Sequence, residues 1–233
     1  MTTIAIPHIE LTELPDLVHD YLERALPDGA VAAGRVRLTQ EGIIQRKFDG
    51  NELPFHATEE IDVAEVAFAW EARVRLSKGL PRLHVVDRFA DAEGSLRATL
   101  LGFPVSRGTG EETSVGEAMR YLAELPWAPH AMLNPRLHWN VVDEAIVEVE
   151  TQVGDTTASI AFRFDLNGDV LAAFGHRPHR EGRQTELRPW VGLYSVYEVL
   201  GGVRIPTHAE VHWTLPDGPF TYFRANVTGL ELL

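Results

Sequence analysis

The sequence contains no cysteine. Disulfide scaffolds, thiolate zinc sites, iron–sulfur clusters and thiol nucleophiles are therefore excluded. Basic residues are scarce too: 21 Lys and Arg stand against 34 Asp and Glu, a formal net charge of −13 over 233 residues. Reading a nucleic-acid backbone requires a basic face that displaces counterions, and an anionic membrane surface demands the same, so both partners are disfavoured. No stretch approaches the roughly 18 consecutive apolar residues of a membrane span, so no integral membrane association is expected. The opening MTTIAIPHIELTELPD has neither a basic start nor a long apolar stretch. The expected location is cytoplasmic, with a secreted mature form left open. Phosphate-cradling glycine loops, a dinucleotide fingerprint, a Gly-x-Ser-x-Gly elbow and His-Glu-x-x-His are all missing. Neither a cofactor nor a metal is expected.

What is present reads mostly as strand. From Val66 to Leu76 the even positions are Val66, Phe68, Trp70, Ala72, Val74 and Leu76, and the odd ones are mainly charged or small. That alternation marks a sheet with one buried and one wet face. It returns in Ala145/Val147/Val149, Ala158/Ile160/Phe162/Phe164/Leu166 and Ala209/Val211/Trp213/Leu215. Turn residues separate the runs: Asn167-Gly168, Gly201-Gly202 and Pro216-Asp217-Gly218. About ten strands are predicted, near 30–39, 42–48, 66–76, 82–90, 95–102, 144–153, 157–166, 169–176, 202–214 and 219–230. Short turns between consecutive strands imply an antiparallel meander.

Two helices interrupt the pattern. One is predicted over about 14–26, with Pro15 in its first turn and Pro27-Asp28-Gly29 as its stop. The other is predicted over about 115–125, with Ser114 and Glu117 as a capping box and Pro126 beyond its end. The apolar segment Pro126-Trp127-Ala128-Pro129-His130 is expected to pack over the sheet. So large a sheet with so little helix must curl upon itself or leave an apolar face open, and the curled form is the one expected. The predicted class is mainly β (α+β): one domain over 1–233, with a large curved antiparallel sheet or half-open β-barrel. The N-terminal helix precedes this sheet, and helix 115–125 lies on or in its concave face, leaving a cavity.

A set of landmarks carries a family resemblance. They are Arg120-Tyr121-Leu122-Ala123-Glu124 with Trp127, Pro129 and Trp139, then Pro189-Trp190, Tyr197, Gly202, Pro206, Trp213 and Tyr222-Phe223-Arg224. Their order and spacing resemble an uncharacterised bacterial family with an RYLAE…W.P core. That family is similar in architecture to the LolA/LolB lipoprotein-carrier superfamily. The resemblance implies a half-open barrel that holds acyl chains beneath a helical lid.

The candidate residues follow from this placement. Arg120 and Glu124, one turn apart, read either as a cavity-facing pair or as a solvated ion pair worth about 0.2–0.5 kcal/mol. In the first case Arg120 orients an anionic head group and Glu124 is a general base. His130 and His138 lie in the loop beside the helix and are candidate partners for Glu124 or Asp143 in acid–base work, or else backbone-bonded histidines. Trp127, Trp139, Trp190 and Tyr197 are candidate lining residues for an apolar ligand, and Arg177 is a candidate anion clamp. His208, Glu210 and His212 alternate onto one strand face that reads as the outer one, so they are assigned no metal. Two functions remain open. One is binding of a hydrophobic or lipid-like small molecule; the other is a cofactor-independent acid–base enzyme working on such a molecule in the same cavity. Nothing in the sequence fixes the oligomeric state.

Overall fold

The structure, a computed structural model, describes residues 9–26, 33–48, 50–76, 82–181 and 184–233. The predicted helix stop at Pro27-Asp28-Gly29 and the first residues of the strand expected from 30 lie outside the described residues. The chain opens with α1 (Asp16–Ala25), which buries Val18, Tyr21, Leu22 and Ala25. Then come β1 (Arg35–Gln45), β2 (Glu52–Asp62), β3 (Phe68–Arg75), β4 (Arg82–Ala90), β5 (Glu93–Leu100) and β6 (Phe103–Gly108). The second helix, α2 (Glu111–Glu124), is followed by two short 3₁₀ turns at Leu125–Trp127 and Pro129–Leu133. The remainder is β7 (His138–Val141), β8 (Ile146–Val153), β9 (Thr156–Phe164), β10 (Val170–Glu181), β11 (Gln184–Leu200), β12 (Val203–Leu215) and β13 (Gly218–Leu232).

These strands form one 13-stranded sheet in the order β6-β5-β4-β3-β2-β1-β13-β12-β11-β10-β9-β8-β7. Every neighbouring pair is antiparallel. Two meanders thus meet where β1 pairs with β13, and α2 links the two outer strands, β6 and β7. The helix packs on β4 and β5 of one wing and on β8, β9 and β10 of the other. One short helix touches both wings only because the sheet curls round it. Its concave face carries the alternating apolar residues, among them Phe68, Trp70, Ala72, Val74, Val147, Val149, Ile160 and Phe162, all buried.

The sheet has more strands than the sequence pattern predicts. The expected strands 30–39 and 42–48 are one strand, β1, and Gly42 is no turn. A Cβ there would lie 2.0 Å from the Arg224 carbonyl oxygen, so the glycine admits close approach of β13. Four strands, β2, β6, β7 and β11, escaped the pattern. The edge strand β6 is exposed along nearly its whole length, and β7 has four residues. In β11, Val196 has a φ of 56°, and the pairing with β12 skips it between Ser195 and Tyr197. The facing Thr207 is skipped with it, so the register is the same on both sides, but the alternation of buried and exposed residues over 190–195 does not continue past it. Leu166, expected to continue the apolar series of β9, lies past its end and is exposed.

The second helix also departs from expectation. It begins at Glu111, four residues before the predicted Val115, behind Gly110 with a φ of 103°. Ser114 is therefore inside the helix and no cap. Its hydroxyl donates to the Gly110 carbonyl at 3.1 Å and accepts the Gly94 amide of β5 at 2.9 Å. Glu117 caps nothing and is buried. The segment after α2 packs as predicted, with Leu125 to Met132 all buried.

Candidate functional site

A row of directly opposed residues crosses the first wing. Leu38 faces Glu59, Glu59 faces Trp70, Trp70 faces Asp87, and Asp87 faces Leu96. Opposed residues project to the same side of a sheet, so two carboxylates flank Trp70 on the concave surface. Arg120 of α2 lies above this row, its guanidinium carbon 5.0 Å from the Trp70 ring and 4.9 Å from that of Phe68. Its Nη1 donates to Asp87 Oδ2 at 2.7 Å and its Nη2 to Glu59 Oε1 at 3.3 Å. Its Nε donates to Glu124 Oε1 at 2.7 Å, the bond expected of residues one helical turn apart. Gln40 of β1 completes the set from behind. It donates to Glu59 Oε2 at 2.8 Å and accepts the Trp70 indole N–H at 2.8 Å.

Farther towards the start of α2, Glu117 faces Arg177 of β10 at 3.9 Å, an ion pair too long for a hydrogen bond. The Arg177 guanidinium lies over the Trp190 ring, 5.5 Å from its centre, and against Gly116. Asp87 Oδ1 and Glu117 Oε2 are buried oxygens with no hydrogen-bond partner among the described residues. Burial dominates the electrostatics of this cluster. It pushes Glu59 well above the usual carboxylate range, helped by the adjacent Glu124. Burial also raises Asp87, against the pull of Arg120 and Arg177. Glu117 is pushed up to about 7, first by burial and then by the charge on Asp87. Burial alone would weaken Arg120's hold on its proton, but the carboxylates of Glu124, Glu59 and Asp87 outweigh it and fix the positive charge.

Asp87, Glu117, Arg120, Glu124 and Arg177 of this cluster form one side of a cavity of about 1040 Å³ between α2 and the concave sheet. Its other walls are apolar and aromatic, including Leu53, Val74, Leu83, Val85, Trp213 and Phe223. Of the residues singled out from the sequence, Arg120, Glu124, Trp127, Arg177 and Trp190 line it together. Trp127 is oriented by its indole N–H donating to the Pro206 carbonyl at 2.9 Å, and Trp190 by donating to the Tyr222 hydroxyl at 3.1 Å. The others lie elsewhere. Trp139 stacks on Phe162, and the Tyr197 hydroxyl donates to the Val170 carbonyl at 2.9 Å. His138 is exposed on β7. His130 is buried, with both ring nitrogens lacking a partner among the described residues, and burial lowers its pKa.

His208, Glu210 and His212 are partly exposed on β12 and engaged laterally, His208 with Asn226 and His212 with Thr221. Among the described residues, the one group with metal-ligating spacing is His19, Asp20 and Glu23, whose two carboxylates are exposed on α1. No described helix is long and apolar enough to cross a membrane.

Sequence reasoning missed Glu59, Asp87 and the burial of Glu117. The first two carried a legible signal. In Phe55/Ala57/Glu59/Ile61 and Val85/Asp87/Phe89, a carboxylate occupies the apolar phase of an alternating strand.

The fold has counterparts among solved structures. The chain is similar to a LolA superfamily protein from Nitrosomonas europaea, at 10% identity and TM-score 0.49, over 93% of this chain and 92% of that one. It is similar to a DUF1329 family protein from Desulfovibrio piger, at 11% identity and TM-score 0.51, over 93% and 90%. At such identity the second likeness is one of fold. No curated protein matches the chain in sequence. Residues 6–225 match the sequence profile of a family of unknown function, DUF6544, and the chain belongs to that family.

Proposed function

We propose that the protein binds a hydrophobic or lipid-like small molecule in the cavity beneath α2. The observation that carries this reading is the cavity itself: about 1040 Å³, with mostly apolar walls and one polar side. Small-molecule sites run from about 300 to 1,000 Å³ and combine apolar lining with a few placed polar groups. An amphiphile with a single chain suits that division. Trp127 and Trp190 belong to the apolar lining, while Arg177 and the buried carboxyls form the polar side. A cytoplasmic location is part of the proposal, and cell fractionation tests it.

Uncharged n-alcohols of increasing length, competing with a fluorescent apolar dye, test the binding itself. Each buried methylene contributes about 0.8 kcal/mol, so affinity should rise roughly fourfold per carbon until the cavity is full. Affinity independent of chain length would contradict the reading.

A second reading, a cofactor-independent enzyme on the same scaffold, is favoured by one observation. Glu117, raised to about 7, has the proton affinity of an acid–base catalyst at neutral pH. In this reading Glu124 serves as base, and His130 and His138, which do not line the cavity, act only if that region rearranges. Glu124→Gln separates the two. A binder keeps its affinity, whereas an enzyme binds its substrate and loses turnover.

A further inference from the structure

We propose that the ligand's head group is a carboxylate, held by the Arg177 guanidinium with the Glu117 carboxyl as a second donor. This rests on the cavity-binding reading above and specifies the chemistry of its polar side.

The argument starts from which cation is available. Arg120, the more prominent arginine in the sequence, is engaged by Glu59, Asp87 and Glu124. Arg177 also lines the cavity, with only 12% of its side chain exposed. Its guanidinium makes no hydrogen bond to any of the described residues, and its single ion-pair contact, Glu117, stands off at 3.9 Å. A buried guanidinium that faces a cavity with its N–H groups unmatched leaves a strong donor fork without an acceptor. The planar fork fits a carboxylate through two parallel bonds. The guanidinium lies over the Trp190 ring, and a Cβ on Gly116 would stand 3.6 Å from its Nε, so both residues bound the space it occupies.

The charge of the lining agrees. In a chain with 21 basic and 34 acidic residues, the cavity is lined by five arginines and four acidic residues. The exposed lining residues include Arg46, Arg107 and Arg180, a local reversal of sign that draws anions towards the cavity. Among the described residues lining the cavity, Arg177 is the one deep guanidinium without a hydrogen bond, and Asp87 lies close by. The site therefore favours a monoanion over a phosphate dianion.

Glu117 makes the site sensitive to pH. The charged groups acting on it are Asp87 from β4, Arg177 from β10, and Arg120 and Glu124 from α2 itself. Protonated, Glu117 leaves Arg177 to the ligand and offers an O–H to it. Ionised, it competes for Arg177 and repels the bound anion. With its pKa raised to about 7, the change falls near neutrality. Carboxylate binding should therefore be strong below neutral pH and weaken above it.

The test compares dodecanoate, 1-dodecanol and dodecylammonium as competitors for a fluorescent apolar dye, on the intact protein at pH 6.0 and 8.5. Dodecanoate should bind at least about tenfold more tightly than dodecanol at the lower pH. That advantage should shrink about tenfold at the higher pH, while dodecanol stays level. Arg177→Gln should abolish the preference and keep dodecanol binding. Glu117→Gln should keep dodecanoate binding at both pH values. Equal binding of dodecanoate and dodecanol overturns the head-group assignment and leaves the cavity reading standing. Tightest binding of dodecylammonium overturns the assignment in favour of the carboxylates. Failure of all three competitors removes the cavity reading together with it.

Discussion

Glu117 shows at the scale of one residue what burial does to a carboxyl group. Its pKa rises from 4.5 to about 7 because it is buried, beside Asp87, with one oxygen unpartnered among the described residues. An acid with a raised folded-state pKa holds its proton longer in the native than in the unfolded chain. Stability from this group is thus full below about pH 4.5 and is lost as pH rises through about 7, by roughly 3 kcal/mol in all. Glu117→Gln removes that dependence. The variant should match the wild type near pH 4.5 and exceed it by a growing margin up to pH 8, as read by urea unfolding at several pH values. An unchanged margin across that range would contradict the burial of an ionisable Glu117. Arg120 illustrates the opposite case, a buried charge tolerable only because three carboxylates surround it. The sequence shows the pairing of Arg120 with Glu124 through their one-turn spacing. It hides Glu59 and Asp87, because their strands meet α2 only through the curl of the sheet, which no local pattern specifies.

At the scale of elements, the position of α2 decides the site. Gly94 of β5 lets the helix come close, since a Cβ there would meet Ser114 Cα at 2.7 Å and the Thr113 carbonyl oxygen at 2.8 Å. Both are backbone atoms, so the helix itself must move. Gly94→Ala should destabilise the fold by roughly 1–3 kcal/mol. Gly108→Ala, whose added Cβ meets ordinary contacts at 3.6 Å, should cost far less. Chemical denaturation of the two variants checks the contrast, and equal effects would contradict this packing of helix on strand. The helix was legible in the apolar spacing of Ala118, Met119 and Leu122, but its start was not. A serine followed three residues later by a glutamate resembles a cap from sequence alone. Here tertiary contacts use both side chains, Ser114 for the Gly94 amide and Glu117 for the buried cluster. Three of the strands missed by the pattern fail for similar reasons: β6 and β7 are edges with little to bury, and the alternation of β11 breaks at Val196.

For the whole molecule, the curl of a sheet too large for its helices was legible, and it is what creates the cavity. Asp87 beside Trp70, with Glu117, Arg120 and Glu124 of α2 and Arg177 of β10, brings charge to one side of that cavity, and much of the remaining lining is apolar. The central claim is that this space takes up an amphiphile. Native mass spectrometry of the purified protein, followed by denaturing extraction and identification of whatever is released, tests it most directly. The account predicts a stoichiometric passenger with one apolar chain, or, once stripped, a protein that takes up an apolar dye one to one. A clean mass of the chain alone, with no dye uptake, would contradict it.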